Sequence, residues 1–595
     1  MSTKSPDLTN FSSAELSEDE LDNVFQHIFR RLAAYRNEAL MYAELECMLA
    51  PGSEDMKTKR KNAFSENIDK WAQTIVDQAW IACHPKQPPE SPELDRLAET
   101  STGRLPPLPD KRYLEKIMNS ILLLLVTTHK EYSARTRRFL SEFGPLNEEA
   151  IVATLKDPDT AIKKAQDAAE KTKNEHADNR KIFRRVGLGL AAVGGGVLVG
   201  VTGGLAAPLV GAGVTTILGW VGVGGTAAGL LASGLAGSSV VCGALFGAYG
   251  AKSTADMVGR HTKEITDLAI KPVRPRNVHD TMAVRLCITG WLTTPDDVTA
   301  PWTVFGGDDT FALQWEVQAL EELSNALYTL VKSYSLKYVK AEIIKRTVLA
   351  NLMYSLAPIA WLKIGQIIDN PWMNATALAD KTGLVLADLL AQRVFGRRPI
   401  TLVGYSLGAR VIFQALKRLA QLPPQDTAHL VQDVFLFGMP VSGDPAVWTG
   451  IRRLVAGRVV NGHSANDYVL AVLSRASSGQ WEIAGLQPVQ VKGVENVFCE
   501  KVNGHTKWRG LIGKCLLDCG APGIIEVEVA KQLKEVADQL SKEDEDMTEE
   551  EAERIVQQGP PKEDEERASI DEKEPQQEAQ KAPSPKRKPP PRYED

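Results

Sequence analysis

The chain has few cysteines for its length and no strong net charge. Its 595 residues include seven cysteines in an odd, unpatterned set, and the formal net charge is −6. Scattered cysteines of this kind indicate reduced thiols in a cytosolic setting rather than a disulfide framework. A weak acidic balance gives no indication of nucleic-acid binding. The cysteines are Cys47, Cys83, Cys242, Cys287, Cys499, Cys515 and Cys519.

Signals for secretion and for metal binding are also missing from the sequence. The first thirty residues begin polar and acidic, without a basic segment followed by an apolar one, which argues against a signal peptide. Cys515 and Cys519 are four residues apart on an apparent helix, without the second pair of ligands that a zinc site needs. We therefore expect no metal and no cofactor.

The most informative motif present is a nucleophile elbow at residues 404–408. Its sequence, Gly-Tyr-Ser-Leu-Gly, follows an apolar run at residues 400–403 and opens a helical pattern with one apolar face. This strand–turn–helix context predicts that Ser406 projects its hydroxyl above the C-terminal edge of a sheet. The alternative is an ordinary serine in a Gly-rich turn.

An acid and a histidine follow the elbow in the order nucleophile, acid, histidine that α/β-hydrolases use. Asp467 lies in a polar loop after an apolar run, and His505 is the one histidine C-terminal to it. A serine needs a base to remove its proton, and a carboxylate orients that base. Asp444, in a Gly-Asp-Pro sequence after another apolar run, is the alternative acid. His429 and His463 precede Asp467, so we expect them to be structural.

An oxyanion hole requires two backbone N–H groups directed at the developing negative charge. One is predicted to be the amide of Leu407, directly after the nucleophile. The other is predicted to be the amide of Trp291, in the loop after the apolar run at residues 283–288. Gly290 in that loop would allow close approach.

Several of these segments together resemble a eukaryotic family. They are Thr289-Gly290-Trp291-Leu292, Leu313-Gln314-Trp315-Glu316, residues 404–410, Asn466-Asp467 and Gly504-His505. The residues of these segments and their order along the chain are similar to those of the family of transmembrane and coiled-coil domain-containing protein four, over roughly residues 110–540. The resemblance implies an α/β-hydrolase domain preceded by a membrane segment. Thr289 stands where we expect a serine, which leaves the oxyanion backbone unaffected.

A glycine-rich stretch without a charged side chain covers residues 186–251. Its length permits two or three membrane-spanning helices, and Gly196, Gly200 and Gly204 have the fourfold spacing with which membrane helices pack closely. Basic residues flank both ends, at Arg184–Arg185 and at Lys252, which favours an even number of crossings with both soluble parts in the cytosol. The alternative is a soluble, tightly packed helical hairpin.

The remaining composition predicts the domain organisation. We expect an N-terminal helical region (1–84), a Pro-rich linker (85–110), a second helical region (111–185), the membrane segment (186–251), an α/β-hydrolase domain (275–540) and a disordered tail (541–595). A helical insertion before the elbow is expected to break at Ala357-Pro358 and at Asn370-Pro371. The tail ends in a P-P-x-Y pattern, Pro590, Pro591 and Tyr593, typical of ligands of WW domains.

These features predict an α/β-hydrolase fold, with a mostly parallel sheet flanked by helices. The expected function is a membrane-associated serine hydrolase that cleaves a carboxylic ester of a lipid through Ser406, His505 and Asp467. The alternative is a catalytically silent membrane adaptor that uses the same fold as a scaffold, in membrane trafficking. A silent scaffold would need neither the elbow nor its partners.

Overall fold

The computed structural model describes residues 16–84, 90–157, 238–246, 265, 267–274, 281–332, 337, 341, 358–478, 482–543 and 549–558. The chain divides into two compact units. The larger comprises residues 1–327 and 368–545, and the smaller comprises residues 328–367 and 546–595. The larger unit contains the sheet and every residue of the candidate site.

The described part of the chain is mostly helical, with one sheet. Its helices are α1 (Glu18–Leu49), α2 (Glu54–Cys83), α3 (Lys111–His129), α4 (Ala134–Leu140), α5 (Glu148–Lys156), α6 (Ser238–Phe246), α7 (Val317–Lys332), α8 (Pro358–Ala391), α9 (Leu407–Leu419), α10 (Pro424–Thr427), α11 (Pro445–Leu454), α12 (Tyr468–Ser478), α13 (Trp508–Asp518), α14 (Glu526–Glu543) and α15 (Glu549–Gln558). Its strands are β1 (Leu268–Pro272), β2 (Val284–Ile288), β3 (Asp309–Trp315), β4 (Ile400–Tyr405), β5 (Val431–Phe437), β6 (Val459–His463) and β7 (Val494–Phe498).

The seven strands form a single sheet in the order β1-β3-β2-β4-β5-β6-β7. Only β1, paired with β3, runs antiparallel. Every residue of β2, β4, β5 and β6 is buried, as expected for parallel strands that helices cover on both faces. The topology is compatible with an α/β-hydrolase-like fold. It places the C-terminal ends of β2, β4, β5, β6 and β7 along one edge.

The N-terminal helices pack onto the sheet-bearing part of the same unit. The Tyr35 hydroxyl donates to the Ala456 carbonyl at 2.8 Å. Arg135 on α4 donates to the Ala428 and Arg453 carbonyls, each at 2.8 Å. Because these guanidinium contacts are buried and reach carbonyls about three hundred residues away, the helices and the sheet form a continuous packed structure.

The Pro-rich segment is described from residue 90 and has no helix or strand up to residue 110. It is nevertheless held against α1 by hydrogen bonds to its carbonyls. His27 Nε2 contacts the Pro106 carbonyl at 2.8 Å, Arg30 donates to Ser101 at 2.8 Å, and Arg36 donates to Leu94 at 3.0 Å. This part of the predicted linker is therefore an irregular segment that is hydrogen-bonded to α1.

The predicted helix break at Asn370-Pro371 is wrong, because α8 continues through Pro371. Proline removes one helical hydrogen bond and costs about 3 kcal/mol in a helix interior. The buried face that follows, with Trp372, Ala375 and Ala379 at helical spacing, offsets this cost by packing. Pro358, the other predicted break, is the first residue of α8, where its missing N–H does no harm.

The predicted membrane segment lies outside the described residues, apart from α6. Where the chain is described, no helix combines the length and the apolar character needed to cross a membrane. The tail predicted to be disordered from residue 541 contains α15. Its P-P-x-Y pattern lies outside the described residues.

Candidate active site

Ser406 occupies a sharp turn between β4 and α9. Its backbone has φ 54° and ψ −130°, a conformation that side-chain-bearing residues rarely adopt and that stores of order 1–3 kcal/mol of strain. The flanking glycines make the turn possible. A Cβ on Gly404 would lie 2.9 Å from the Ala409 nitrogen, and one on Gly408 would lie 2.1 Å from the Ile288 carbonyl oxygen. Ser406 is thus presented at the C-terminal end of β4, as the elbow motif predicts.

A continuous hydrogen-bonded chain joins Ser406, His505 and Asp467. The Ser406 Oγ lies 2.5 Å from His505 Nε2, and His505 Nδ1 lies 2.7 Å from Asp467 Oδ2. A carboxylate only accepts, so in the neutral ring Nδ1 carries the proton and donates to Asp467. The other ring nitrogen, Nε2, is then the acceptor for the Ser406 hydroxyl. This arrangement can remove the serine proton.

Three strands of the parallel part of the sheet bring these side chains to one edge. Ser406 follows β4, Asp467 lies in the loop after β6, and His505 lies beyond β7. Because β4 to β7 are adjacent and parallel, their C-terminal loops meet above the same edge of the sheet. The cluster therefore follows from topology, although almost one hundred residues separate Ser406 from His505.

The carboxylate of Asp467 is held by three N–H donors. Its Oδ1 accepts from the Leu470 amide at 3.0 Å, and its Oδ2 accepts from both His505 Nδ1 and Trp508 Nε1, the latter at 2.8 Å. Asp467, His505 and Trp508 are fully buried. The sequence reasoning missed Trp508, and its one available signal was its position three residues after His505.

The other acid and histidines considered from the sequence lie elsewhere. Asp444 is the N-cap of α11, where its carboxylate accepts from the Ala446 amide at 2.9 Å. His463 ends β6 beside Phe498, with 5.8 Å between ring centres, and burial lowers its pKa. His429 lies under the N-terminal helices, 6.2 Å from the Trp71 ring centre. Asp467 is thus the carboxylate that the structure places on His505.

The loop predicted to supply the second oxyanion donor lies directly against the elbow. Ile288 pairs with Gly404, so β2 and β4 end side by side. A Cβ on Gly290 would lie 2.5 Å from the Leu407 nitrogen. The loop that carries Gly290 and Trp291 is therefore in direct contact with the elbow at the Leu407 amide.

Two buried tryptophans fix this loop through Thr289. The Trp302 indole donates to Thr289 Oγ1 at 3.0 Å, and the Trp315 indole donates to the Thr289 carbonyl at 3.0 Å. Thr289 in turn donates to the Asp297 carbonyl at 3.1 Å. Threonine at this position therefore uses its hydroxyl to hold the loop. No local pattern in the sequence indicated this role of Trp302.

The reactive atoms are closed off from solvent. Ser406 is 1% exposed and His505 is 0% exposed. Trp372 on α8 lies edge-on to the His505 ring, with 6.4 Å between ring centres and an interplanar angle of 81°. Trp372 is itself buried. Trp372 therefore forms part of the apolar surroundings of His505.

The polar contacts of this site centre on the Ser406 hydroxyl, which lies 2.5 Å from His505 Nε2. Within the described ranges, no group of three or more His, Cys, Asp and Glu side chains could hold a metal ion. Burial also raises the pKa of Tyr405, which keeps that neighbouring hydroxyl neutral. Ser406 is consequently the group whose contacts favour loss of a proton.

Comparisons place the chain in a family defined by this region. The model of the family described as "Protein of unknown function (DUF726)" matches residues 180–521, and the chain belongs to this family. It is 33% identical to the "Uncharacterized membrane protein C6F6.13c" of Schizosaccharomyces pombe, covering 79% of this chain and 81% of that protein.

Two further relatives have more specific names. The chain is 35% identical to the "Transmembrane and coiled-coil domain-containing protein STS1" of Oryza sativa, over 64% of this chain and 60% of that protein. It is 33% identical to the "Probable lipase MIL1" of Saccharomyces cerevisiae, over 54% of this chain and 29% of that protein. No solved structure matches the chain.

Proposed function

We propose that this protein is a serine ester hydrolase with an α/β-hydrolase fold. The observation that carries the proposal is the buried chain of hydrogen bonds from Ser406 through His505 to Asp467. Such a chain activates a serine hydroxyl because the imidazole accepts its proton and the carboxylate stabilises the resulting imidazolium. The strained backbone of Ser406 supports the same role, since a purely structural serine gains nothing from it.

The reaction would begin with attack of Ser406 Oγ on the ester carbonyl carbon. His505 Nε2 takes the hydroxyl proton as the new C–O bond forms, and the carbonyl oxygen becomes an oxyanion. The Leu407 and Trp291 amides are the proposed donors to that oxyanion. Collapse of the tetrahedral intermediate breaks the bond to the alcohol, which leaves with the proton from His505.

The acyl group then remains as an ester on Ser406. A water molecule, deprotonated by His505 Nε2, attacks this ester, and the second tetrahedral intermediate releases the carboxylic acid. The proton returns from His505 to Ser406 Oγ. Asp467 accepts the hydrogen bond from His505 Nδ1 and holds the imidazole in its working orientation.

We further propose that the substrate is a lipid ester and that the protein is membrane-associated. The names of the fission-yeast membrane protein and of the budding-yeast probable lipase support this proposal. The charge-free residues 186–251 with basic flanks support it independently, with both soluble parts facing the cytosol. The buried Trp372 ring, edge-on to His505, gives the site an apolar neighbour that suits an acyl chain.

Labelling with a fluorophosphonate, which phosphonylates activated serines, tests the enzymatic proposal. The native protein should be labelled, Ser406→Ala should not, and heat-denatured protein should not. Ser141→Ala is a suitable control, since Ser141 is exposed and its hydroxyl donates only locally, to the Arg138 carbonyl at 2.8 Å. Folded wild-type protein that resists labelling in detergent and in lipid vesicles would favour the silent adaptor.

A further inference from the structure

One oxygen of Asp467 accepts two hydrogen bonds from side chains. The Trp508 indole N–H donates to Oδ2 at 2.8 Å, and His505 Nδ1 donates to the same oxygen at 2.7 Å. The Leu470 amide donates to Oδ1 at 3.0 Å. In a buried site, each lost donor leaves the carboxylate less well satisfied.

The indole of Trp508 is placed with little freedom. Trp508 begins α13 three residues after His505, so the short turn at His505–Lys507 fixes one relative to the other. On its other side the ring lies against Gly438, directly after β5. Gly438 has φ +55°, and a Cβ there would lie 2.3 Å from Trp508 Nε1. Phe437 packs on the ring as well, with 6.1 Å between ring centres.

We propose that Trp508 is a positioning residue of this site, which holds the Asp467 carboxylate so that Oδ2 faces His505. The inference rests on the proposed serine hydrolase function. With the Leu470 amide on one oxygen and the indole on the other, the carboxylate cannot rotate without losing a buried hydrogen bond. The same indole N–H also stabilises the negative charge of the Asp467 carboxylate. Without this hydrogen bond, the carboxylate would hold the proton of the His505 imidazolium more tightly.

A purely space-filling tryptophan is the competing explanation, and the chain offers a matched control for it. Trp448 is also fully buried, and its indole N–H donates to the Ser442 carbonyl at 3.1 Å. Trp448→Phe and Trp508→Phe therefore remove the same group from the same kind of environment. Only the second removes it from Asp467.

The first measurement is the rate of fluorophosphonate labelling of the full-length protein as a function of pH. Trp508→Phe should lower the rate by about 10- to 100-fold, the equivalent of one hydrogen bond to a charged group. In the pH profile of the Trp508→Phe labelling rate, the acidic limb should move to higher pH by about half a unit to one unit. Trp448→Phe should leave the limb in place. Arg509, next to Trp508, is paired with Asp297 and is unchanged in both variants.

The second measurement does not depend on activity. The indole N–H resonance of Trp508, assigned by its loss in Trp508→Phe, should shift in Asp467→Asn, whereas that of Trp448 should not. If the wild type is labelled but Trp508→Phe matches it in rate and limb, the positioning role is overturned and the hydrolase proposal stands. A wild type that resists labelling overturns the hydrolase proposal and the positioning role with it, while the resonance still reports whether the indole contacts Asp467.

Discussion

Gly290 packs directly against Ser406. A Cβ on Gly290 would lie 2.6 Å from the Ser406 Cβ and 2.2 Å from the Tyr405 carbonyl oxygen. Real Cβ atoms do not approach their neighbours so closely, and the neighbours here are largely backbone, which cannot move aside as a flexible side chain can. The loop after β2 and the elbow after β4 therefore depend on the missing side chain of Gly290 for their contact.

Gly290→Ala should abolish or strongly reduce fluorophosphonate labelling, since either the elbow or the oxyanion loop must shift. Overpacking of this kind should also lower the free energy of unfolding by about 1–3 kcal/mol. Gly443→Ala is the matched control, because a Cβ at Gly443 would meet nothing within 4 Å. Labelling rates and urea midpoints of the two variants check this, and equal labelling in both would contradict the close contact.

Ser406 and His505 should behave as one unit in kinetics. Each single alanine variant should lower ester hydrolysis by about 10³-fold or more, and the double variant should lose little beyond either one. The reason is that neither side chain can perform its step without the other. Hydrolysis rates of the three variants decide this, and losses that multiply in the double variant would contradict a shared step.

Asparagine variants of Asp467 and Asp444 test which of the two carboxylates acts with His505. Asp467→Asn should reduce hydrolysis by about 10³- to 10⁴-fold, because an amide favours the wrong tautomer of the histidine. Asp444→Asn should preserve both activity and stability, since asparagine caps a helix as well as aspartate does. Hydrolysis rates and thermal midpoints measure both effects. The reverse outcome would transfer the acid role to Asp444.

Membrane association should depend on residues 186–251. The full-length protein should remain in the membrane pellet after a carbonate wash, and deletion of this stretch should release it, since no charged side chain interrupts it. Protease added to sealed vesicles should reach both soluble parts. Complete release of the wild type by carbonate would contradict membrane integration.

The sequence was most informative where one local pattern, an apolar run followed by a polar loop, predicts both a strand and a candidate site residue. Apolar runs that end in Gly, Asp or His loops indicated the strands that carry Ser406, Asp467 and His505, and parallel pairing brings such loops together. It favoured Asp467 and left Asp444 as the alternative acid, because both follow apolar runs. The distinction depends on which loop reaches His505, which is a tertiary contact.

Contacts between distant segments had no local signal. The hydrogen bond from Arg135 to Ala428 joins residues 293 positions apart, and that from Trp508 to Asp467 joins residues 41 positions apart. Pro371 is a local signal that predicted the wrong outcome. Proline normally ends a helix, but α8 continues through Pro371 because its packing outweighs the cost. Local sequence patterns therefore predicted which helices and strands form, whereas tertiary packing determined where they end and which segments they contact.

His429 gives the folded protein a dependence on pH that is separate from the candidate site. Burial, together with the Arg135 and Arg393 guanidinium groups, lowers the pKa of His429 from 6.5 to about 3. Between these values the unfolded chain binds a proton that the folded chain does not. The stability associated with neutral His429 is therefore fully present above about pH 6.5 and is lost progressively as the pH falls toward 3.

Replacing His429 with phenylalanine should flatten this dependence, because the ring shape is kept and the titration is removed. Between pH 7.5 and pH 5.5 the wild type should lose about 1.4 kcal/mol more unfolding free energy than His429→Phe. Urea unfolding at the two pH values measures the difference, and comparison within each protein cancels any constant cost of the substitution. Parallel losses in both proteins would show that His429 binds its proton equally well when folded and unfolded, contrary to the effect of its burial and of the nearby arginine charges.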